Sequence, residues 1–172
     1  MRGAFQQNGG IISVDLSSLT TVSGKECCRQ MFYLCSGITS VLFTNLQTIG
    51  ANTQYENYAQ FSSCFSGCTN LTSITFPKLE KIYCTGAASP GNGTFAYNSY
   101  IQKFYFPKLN AITYGSGASS TKQEACKYIF SSCSSLTEIH FGAANQSAIE
   151  ATSGYSTLWG RGAGNATVYF DL

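Results

Sequence analysis

His140 is the only histidine in 172 residues, and the only aspartates, Asp15 and Asp171, stand near the two ends of the chain. A catalytic centre needs a nucleophile, a base or a metal, and this sequence has very little from which to build one. The nearest approach is Glu138 with His140, in the segment TEIHF. Two residues apart on a strand, a carboxylate and an imidazole share a face and could exchange a proton. The same spacing also describes a solvated surface pair, and the sequence favours that reading. Catalysis is not expected, and no cofactor is called for.

The eight cysteines are the other reactive groups. With one histidine, no CxxC pair, and no second pair to match Cys64 and Cys68, a zinc site is not expected, nor any other metal centre. Cys35, Cys68 and Cys133 occupy a repeated position that Asn8 and Asn98 also fill, and Cys28 and Cys126 each lie seven residues before it. Interchange of Cys with Asn points to small polar groups buried against turn backbone. Disulfides stay open as an alternative, because an even count permits them in an exported protein. The Gly-rich segments SPGNG and GRGAG lack the strand-to-helix setting of a phosphate loop.

These positions are set by an internal repeat. In LTSITFPKLEKI the apolar residues Leu71, Ile74, Phe76, Leu79 and Ile82 fall at offsets 0, 3, 5, 8 and 11. The same offsets give Ile11, Val14, Leu16, Leu19 and Val22; then Ile38, Val41, Phe43, Leu46 and Ile49; then Ile101, Phe104, Phe106, Leu109 and Ile112. A fifth copy starts at Leu136, Ile139 and Phe141 and loses the pattern at Ala144. An aromatic stands six residues before each copy: Phe5, Phe32, Phe65, Phe95 and Phe130. Trp159, Gly162, Asn165, Val168 and Phe170 keep the spacing in degraded form, as a terminal cap would. Gly/Ser/Thr-rich inserts fall at one common point of the repeat, so they project from one face.

Offsets 3 and 5 have the period of a strand, so both side chains point inward and the residue between them points out. Each repeat then supplies one short strand, successive strands stack in parallel, and neighbouring repeats bury each other's apolar columns. KECCRQMF and KQEACKYIF place Cys28 with Phe32 and Cys126 with Phe130 at helical spacing, which predicts a short helical turn on the outer arc. Pro77 and Pro107 should end their strands.

The order F-x-x-C-x-x-L-x-x-I-x-F-P-x-L-x-x-I, as in FSGCTNLTSITFPKLEKI and FSSCSSLTEIHF, resembles the BspA-like, treponemal-type leucine-rich repeat, over nearly the whole chain from Phe5 to Phe170. The expected fold is a leucine-rich-repeat solenoid, right-handed, with one parallel strand per repeat and helical turns and loops on the outer arc. It forms a single domain, 1–172, of about five repeats (5–31, 32–64, 65–94, 95–129 and 130–158) with a C-terminal cap at 159–172. The resemblance implies a secreted or cell-surface protein, bacterial or from a microbial parasite, that adheres to host or cell-surface proteins. Family members are often modules of longer chains. The opening inside a repeat, without a cap, is what a fragment would show.

Composition sets further limits. Charged residues make up 10% of the chain and the net charge is +2. The ten Lys and Arg are scattered from Arg2 to Arg161, so the basic stripe of a nucleic-acid binder is missing. No apolar run approaches a membrane span, and MRGAFQQNGG is not a signal peptide.

Stacking aligns the outward side chains into two columns: Asp15, Leu42, Thr75, Tyr105, His140 and Tyr169; and Ser13, Ser40, Ser73, Lys103, Glu138 and Thr167. Lys103 and Glu138 become cross-strand neighbours, and Tyr105, His140 and Tyr169 form an aromatic strip. Aromatics with a polar tip suit contact with a protein, or with a glycan as the alternative ligand. The candidate binding residues are Tyr105, His140, Tyr169, Lys103, Glu138 and Leu42, and the rival surface is the inserts, with Tyr55, Tyr58 and Tyr97. A structural spacer that displays a neighbouring domain is the alternative from a different class.

Overall fold

The computed structural model describes residues 2–24, 26–51, 60–84, 93–114, 129–152 and 166–172. Cys126, Trp159, Gly162, Asn165, Tyr55, Tyr58, the segment GRGAG and most of SPGNG lie outside them.

Parallel strands stack into a β-solenoid. Along one face run β1 (Ser13–Asp15), β3 (Ser40–Leu42), β5 (Ser73–Thr75), β7 (Lys103–Phe106), β9 (Glu138–Phe141) and β10 (Thr167–Phe170). Their registers are those of the offset pattern. Val14 pairs with Val41, and Ile74 with Phe104, which pairs with Ile139, which pairs with Val168. Ile74, Phe104 and Ile139 are at most 2% exposed, because each is covered by a coil on both sides.

The expectation of one strand per repeat is corrected by a second face, made of β2 (Thr21–Val22), β4 (Thr48–Ile49), β6 (Lys81–Cys84) and β8 (Ala111–Tyr114) in one parallel ladder. Four turns therefore carry two strands each. In the fifth, a 3-10 turn (Ala143–Asn145) and helix α1 (Gln146–Glu150) follow β9 instead, at the point where the apolar pattern fails. Val22, Ile49, Ile82 and Ile112 anchor the second ladder from inside.

The outer arc is also corrected, from helical turns to a ribbon of stacked turns. Glu26, Gln30 and Leu34 all have positive φ, as do Ser63 and Gly67 in the next coil, and left-handed residues at every fourth position exclude an α-helix. Alternate N–H groups turn sideways instead. Those of Cys28, Gln30, Phe32 and Leu34 donate to the carbonyls of Gln60, Ser62, Cys64 and Ser66 one coil on. The backbone groups a helix would satisfy internally are thus satisfied by the neighbouring coil.

The cysteine ladder behaves as its interchange with Asn suggested. Cys35, Cys68 and Cys133 donate to the carbonyls of Phe5, Phe32 and Phe95 in the preceding coils. Cys27, Cys28, Cys35, Cys64, Cys68 and Cys133 are free thiols.

Asn98 shows why one rung differs. Phe5, Phe32 and Phe65 stack in sequence, but Phe95 stacks on Phe61, with ring centroids 5.7 Å apart, and then on Phe130. The outer arc therefore slips by four residues within FSSCFSGC. Asn98 Nδ2 donates to the Phe61 carbonyl and its Oδ1 accepts the Phe65 N–H, 2.8 Å away. A thiol could supply the donor, but only a weak acceptor in place of the amide oxygen.

Candidate functional site

The front face is interrupted. β1 pairs with β3, and β5, β7, β9 and β10 form a separate ladder, with no ladder joining β3 to β5. A cleft of about 240 Å³ lies there, lined by Thr39–Thr44, Ser73, Thr75 and Pro77. Leu42, 53% exposed, stands on its rim. It is thus on the other segment from the remaining five candidates, which the structure brings together.

Cross-strand register places Lys103 opposite Glu138, and Tyr105 and Tyr169 on either side of His140. The His140 ring stacks on Tyr105 at 4.7 Å and 22°, and on Tyr169 at 4.7 Å and 13°. In the plane of the ring, Nε2 meets Glu138 Oε2 at 2.9 Å, and Nδ1 meets the Asp171 carboxylate at 2.9 and 3.1 Å. Lys103 Nζ reaches the same Glu138 oxygen at 2.9 Å. Six side chains from three adjacent strands and the residue after the last one form a connected array.

His140 is therefore not a solvated surface histidine. It is 9% exposed, because two phenol rings cover its faces and two carboxylates its edges. Burial pulls its pKa down, but hydrogen bonds and charge from Asp171 and Glu138 outweigh this and hold it above the ordinary value. The hydrogen bond to His140, then that to Lys103, holds the Glu138 carboxyl below its ordinary value. Glu138 in turn raises Lys103. Both imidazole nitrogens are engaged by carboxylates, so neither is presented to a substrate. The array is a ring-stacked, ion-paired cluster on the front face.

Asp171 is the member that the column pattern does not pick out, because it follows the last strand residue, Phe170. The signal was present: two positions beyond Tyr169, an alternating strand returns to the same face. Of the rival residues, Tyr97 is 41% exposed and sits in the outer arc, away from this face. Lys78 is exposed and donates to Asn45 Oδ1 at 2.8 Å, which ties neighbouring coils together.

Among the described residues no helix is long and apolar enough to cross a membrane, and no group of three or more His, Cys, Asp or Glu is placed to hold a metal. No protein-family model, curated protein or solved structure matches the chain.

Proposed function

We propose that this chain is a binding module, of the BspA-like leucine-rich type, that recognises a host or cell-surface protein outside the cell through the C-terminal half of its front face. The observation that carries this reading is the Tyr105–His140–Tyr169 stack. Rings that are already ordered lose little entropy on contact. Tyr169 is still 39% exposed, so apolar edge and polar tip remain available to a partner. Lys103, Glu138 and Asp171 frame the strip with both signs of charge, which suits a mixed protein surface better than a strongly charged one.

The test is adhesion of the purified chain to cultured cells and to immobilised extracellular-matrix proteins, with a glycan array in parallel. Tyr105→Ala with Tyr169→Ala should reduce protein binding at least about tenfold, in the hot-spot range. Unchanged binding by the double variant, or binding confined to the glycan array, would remove this reading.

The alternative of a structural spacer draws support from the N-terminal segment. There the outward residues Ser13, Asp15 and Ser40 are small or polar, exposed, and part of no comparable array.

A further inference from the structure

A neutral imidazole has one N–H and one lone pair, so it can donate to one carboxylate but must turn the lone pair on a second. The His140 ring meets a carboxylate at each nitrogen. Nδ1 lies 2.9 and 3.1 Å from the two Asp171 oxygens, and Nε2 lies 2.9 Å from Glu138 Oε2. Lys103 Nζ, 2.9 Å from the same Glu138 oxygen, keeps that carboxyl ionised. Both ring nitrogens must therefore donate, and the geometry is that of an imidazolium.

Among the described residues, the charged and titratable side chains facing the ring are Lys103 and Tyr105 from β7, Glu138 from β9, Tyr169 from β10 and Asp171 just beyond it. With the proton in place, two cations balance two carboxylates. Without it, one carboxylate is in excess. The two are not held alike. Glu138 shares a strand with His140 and keeps Lys103, whereas the cation paired with Asp171 is His140 itself, and the Asp171 side chain is 49% exposed. Loss of the proton therefore falls on Asp171, which can turn to water.

Asp171 follows Phe170, the last residue of β10, so its bond to His140 fastens the end of that strand across β9. The inner side of β10 is held independently. Phe170 stacks on Phe141 at 5.6 Å, and the Leu172 N–H donates to the Phe141 carbonyl. What the proton controls is the outward side, where the Tyr169 ring lies 4.7 Å from the imidazole.

Building on the recognition surface proposed above, we propose that His140 is a proton-operated latch: protonated, it fixes Asp171 and Tyr169 in the aromatic strip and the surface binds; deprotonated, it frees Asp171 and recognition weakens. One proton passes from the imidazolium to solvent, the N–H···O bond to Asp171 is lost, and no covalent bond other than that N–H changes. Burial pulls the imidazole pKa down, but Asp171 and Glu138 outweigh it and hold the group above its ordinary 6.5. Binding is therefore full below about pH 6.5 and declines as pH rises through the raised value.

The experiment uses the full chain, in which the sole histidine gives ring C–H resonances that titrate without overlap. The midpoint should lie above 6.5 in the parent, and Asp171→Asn should lower it by at least about half a unit, a coupling of about threefold. Hydrogen exchange at the Tyr169 and Phe170 amides, corrected for its intrinsic pH dependence, should rise by a similar factor between about pH 6 and pH 8.5, while Phe104 stays protected. Adhesion should fall about threefold over the same interval, and Asp171→Asn should adhere at the lower pH only as well as the parent does at the higher. A midpoint at or below 6.5, one that Asp171→Asn leaves in place, or exchange at β10 that ignores pH overturns the latch. So does adhesion in the parent that is the same at both pH values, with the recognition surface left standing. Adhesion unchanged in Tyr105→Ala with Tyr169→Ala removes the recognition surface instead, and the titration and exchange still decide whether His140 fastens β10.

Discussion

The two segments of the front face are built on one register but present different surfaces. On β1 and β3 the outward residues are Ser13, Asp15, Ser40 and Leu42, and the inward Val14 and Val41 are only half-buried. On β7, β9 and β10 the outward residues interlock through ring stacking and charge, while Phe104, Phe106, Ile139 and Phe141 beneath them are sealed. Two neighbours rather than one make the difference inside. Outside, it is made by aromatic and charged residues at consecutive rungs, since a cross-strand array needs a partner on every strand. On the reading proposed above, the first segment would serve as spacer and the second as recognition surface.

The largest effect should come from breaking the better-packed segment. Phe106 is fully buried and stacks on Phe76 at 5.4 Å and on Phe141 at 5.7 Å. Phe106→Ala should cost about 3–5 kcal/mol in chemical denaturation, from lost burial and the cavity left behind. Val14→Ala, in the half-covered first coil, should cost about 1 kcal/mol. Equal losses would mean that the two segments are equally well packed, and the contrast would fail.

Next in size is the slip in the outer arc. Asn98→Cys restores the repeat consensus, yet it should destabilise by about 1–3 kcal/mol, because the buried Phe65 N–H is left with only a weak acceptor. A consensus substitution that lowered stability in a urea melt would confirm that Asn98 splices two registers. A neutral or stabilising result would show that the arc can slide back.

Much of this was legible beforehand, and the failures have physical causes. The offset-3 and offset-5 columns predicted the pairs Val14–Val41 and Ile74–Phe104–Ile139, since a two-residue period with apolar partners admits one register. The second ladder was hidden because Thr21–Val22 and Thr48–Ile49 are too short to show any period. Only the column of Val22, Ile49, Ile82 and Ile112 hinted at it. The outer arc misled because Cys28 and Phe32 are four apart, a spacing that a ribbon with a left-handed residue at every fourth position shares with a helix. The column places Tyr105, His140 and Tyr169 side by side, as the ring stacking has them, but the break between β3 and β5 depends on neighbours that no linear pattern displays.

A smaller effect should distinguish the segments by pH. His140 has a folded-state pKa above its ordinary 6.5, so its contribution is fully present below that value and is lost as pH rises through the raised one. Glu138 is held below its ordinary 4.5, so its contribution is present above that value and is lost as pH falls through the lowered one. The array should be firmest between about pH 4.5 and 6.5. Thermal melts should fall by a few degrees from pH 6 to pH 8.5. His140→Phe, which keeps a ring in the stack and removes the titration, should flatten that decline. A parent chain with no decline would show that Asp171 and Glu138 do not hold the imidazolium.

The smallest effect is expected at Leu42, where the comparison is sharpest. Leu42 and Tyr105 belong to the same column, and in an unbroken sheet only Thr75 would separate them. Because β3 and β5 share no ladder, a partner lying along the aromatic strip would have to cross the cleft to reach Leu42. At 53% exposure it packs against little, so Leu42→Thr should change stability by no more than about 0.5 kcal/mol. It should also leave adhesion unchanged, whereas Tyr105→Ala with Tyr169→Ala reduces it. If Leu42→Thr weakened binding as much as the tyrosine pair did, the recognition surface would have to span the break. The cleft between β3 and β5 would then belong to the binding site rather than bound it.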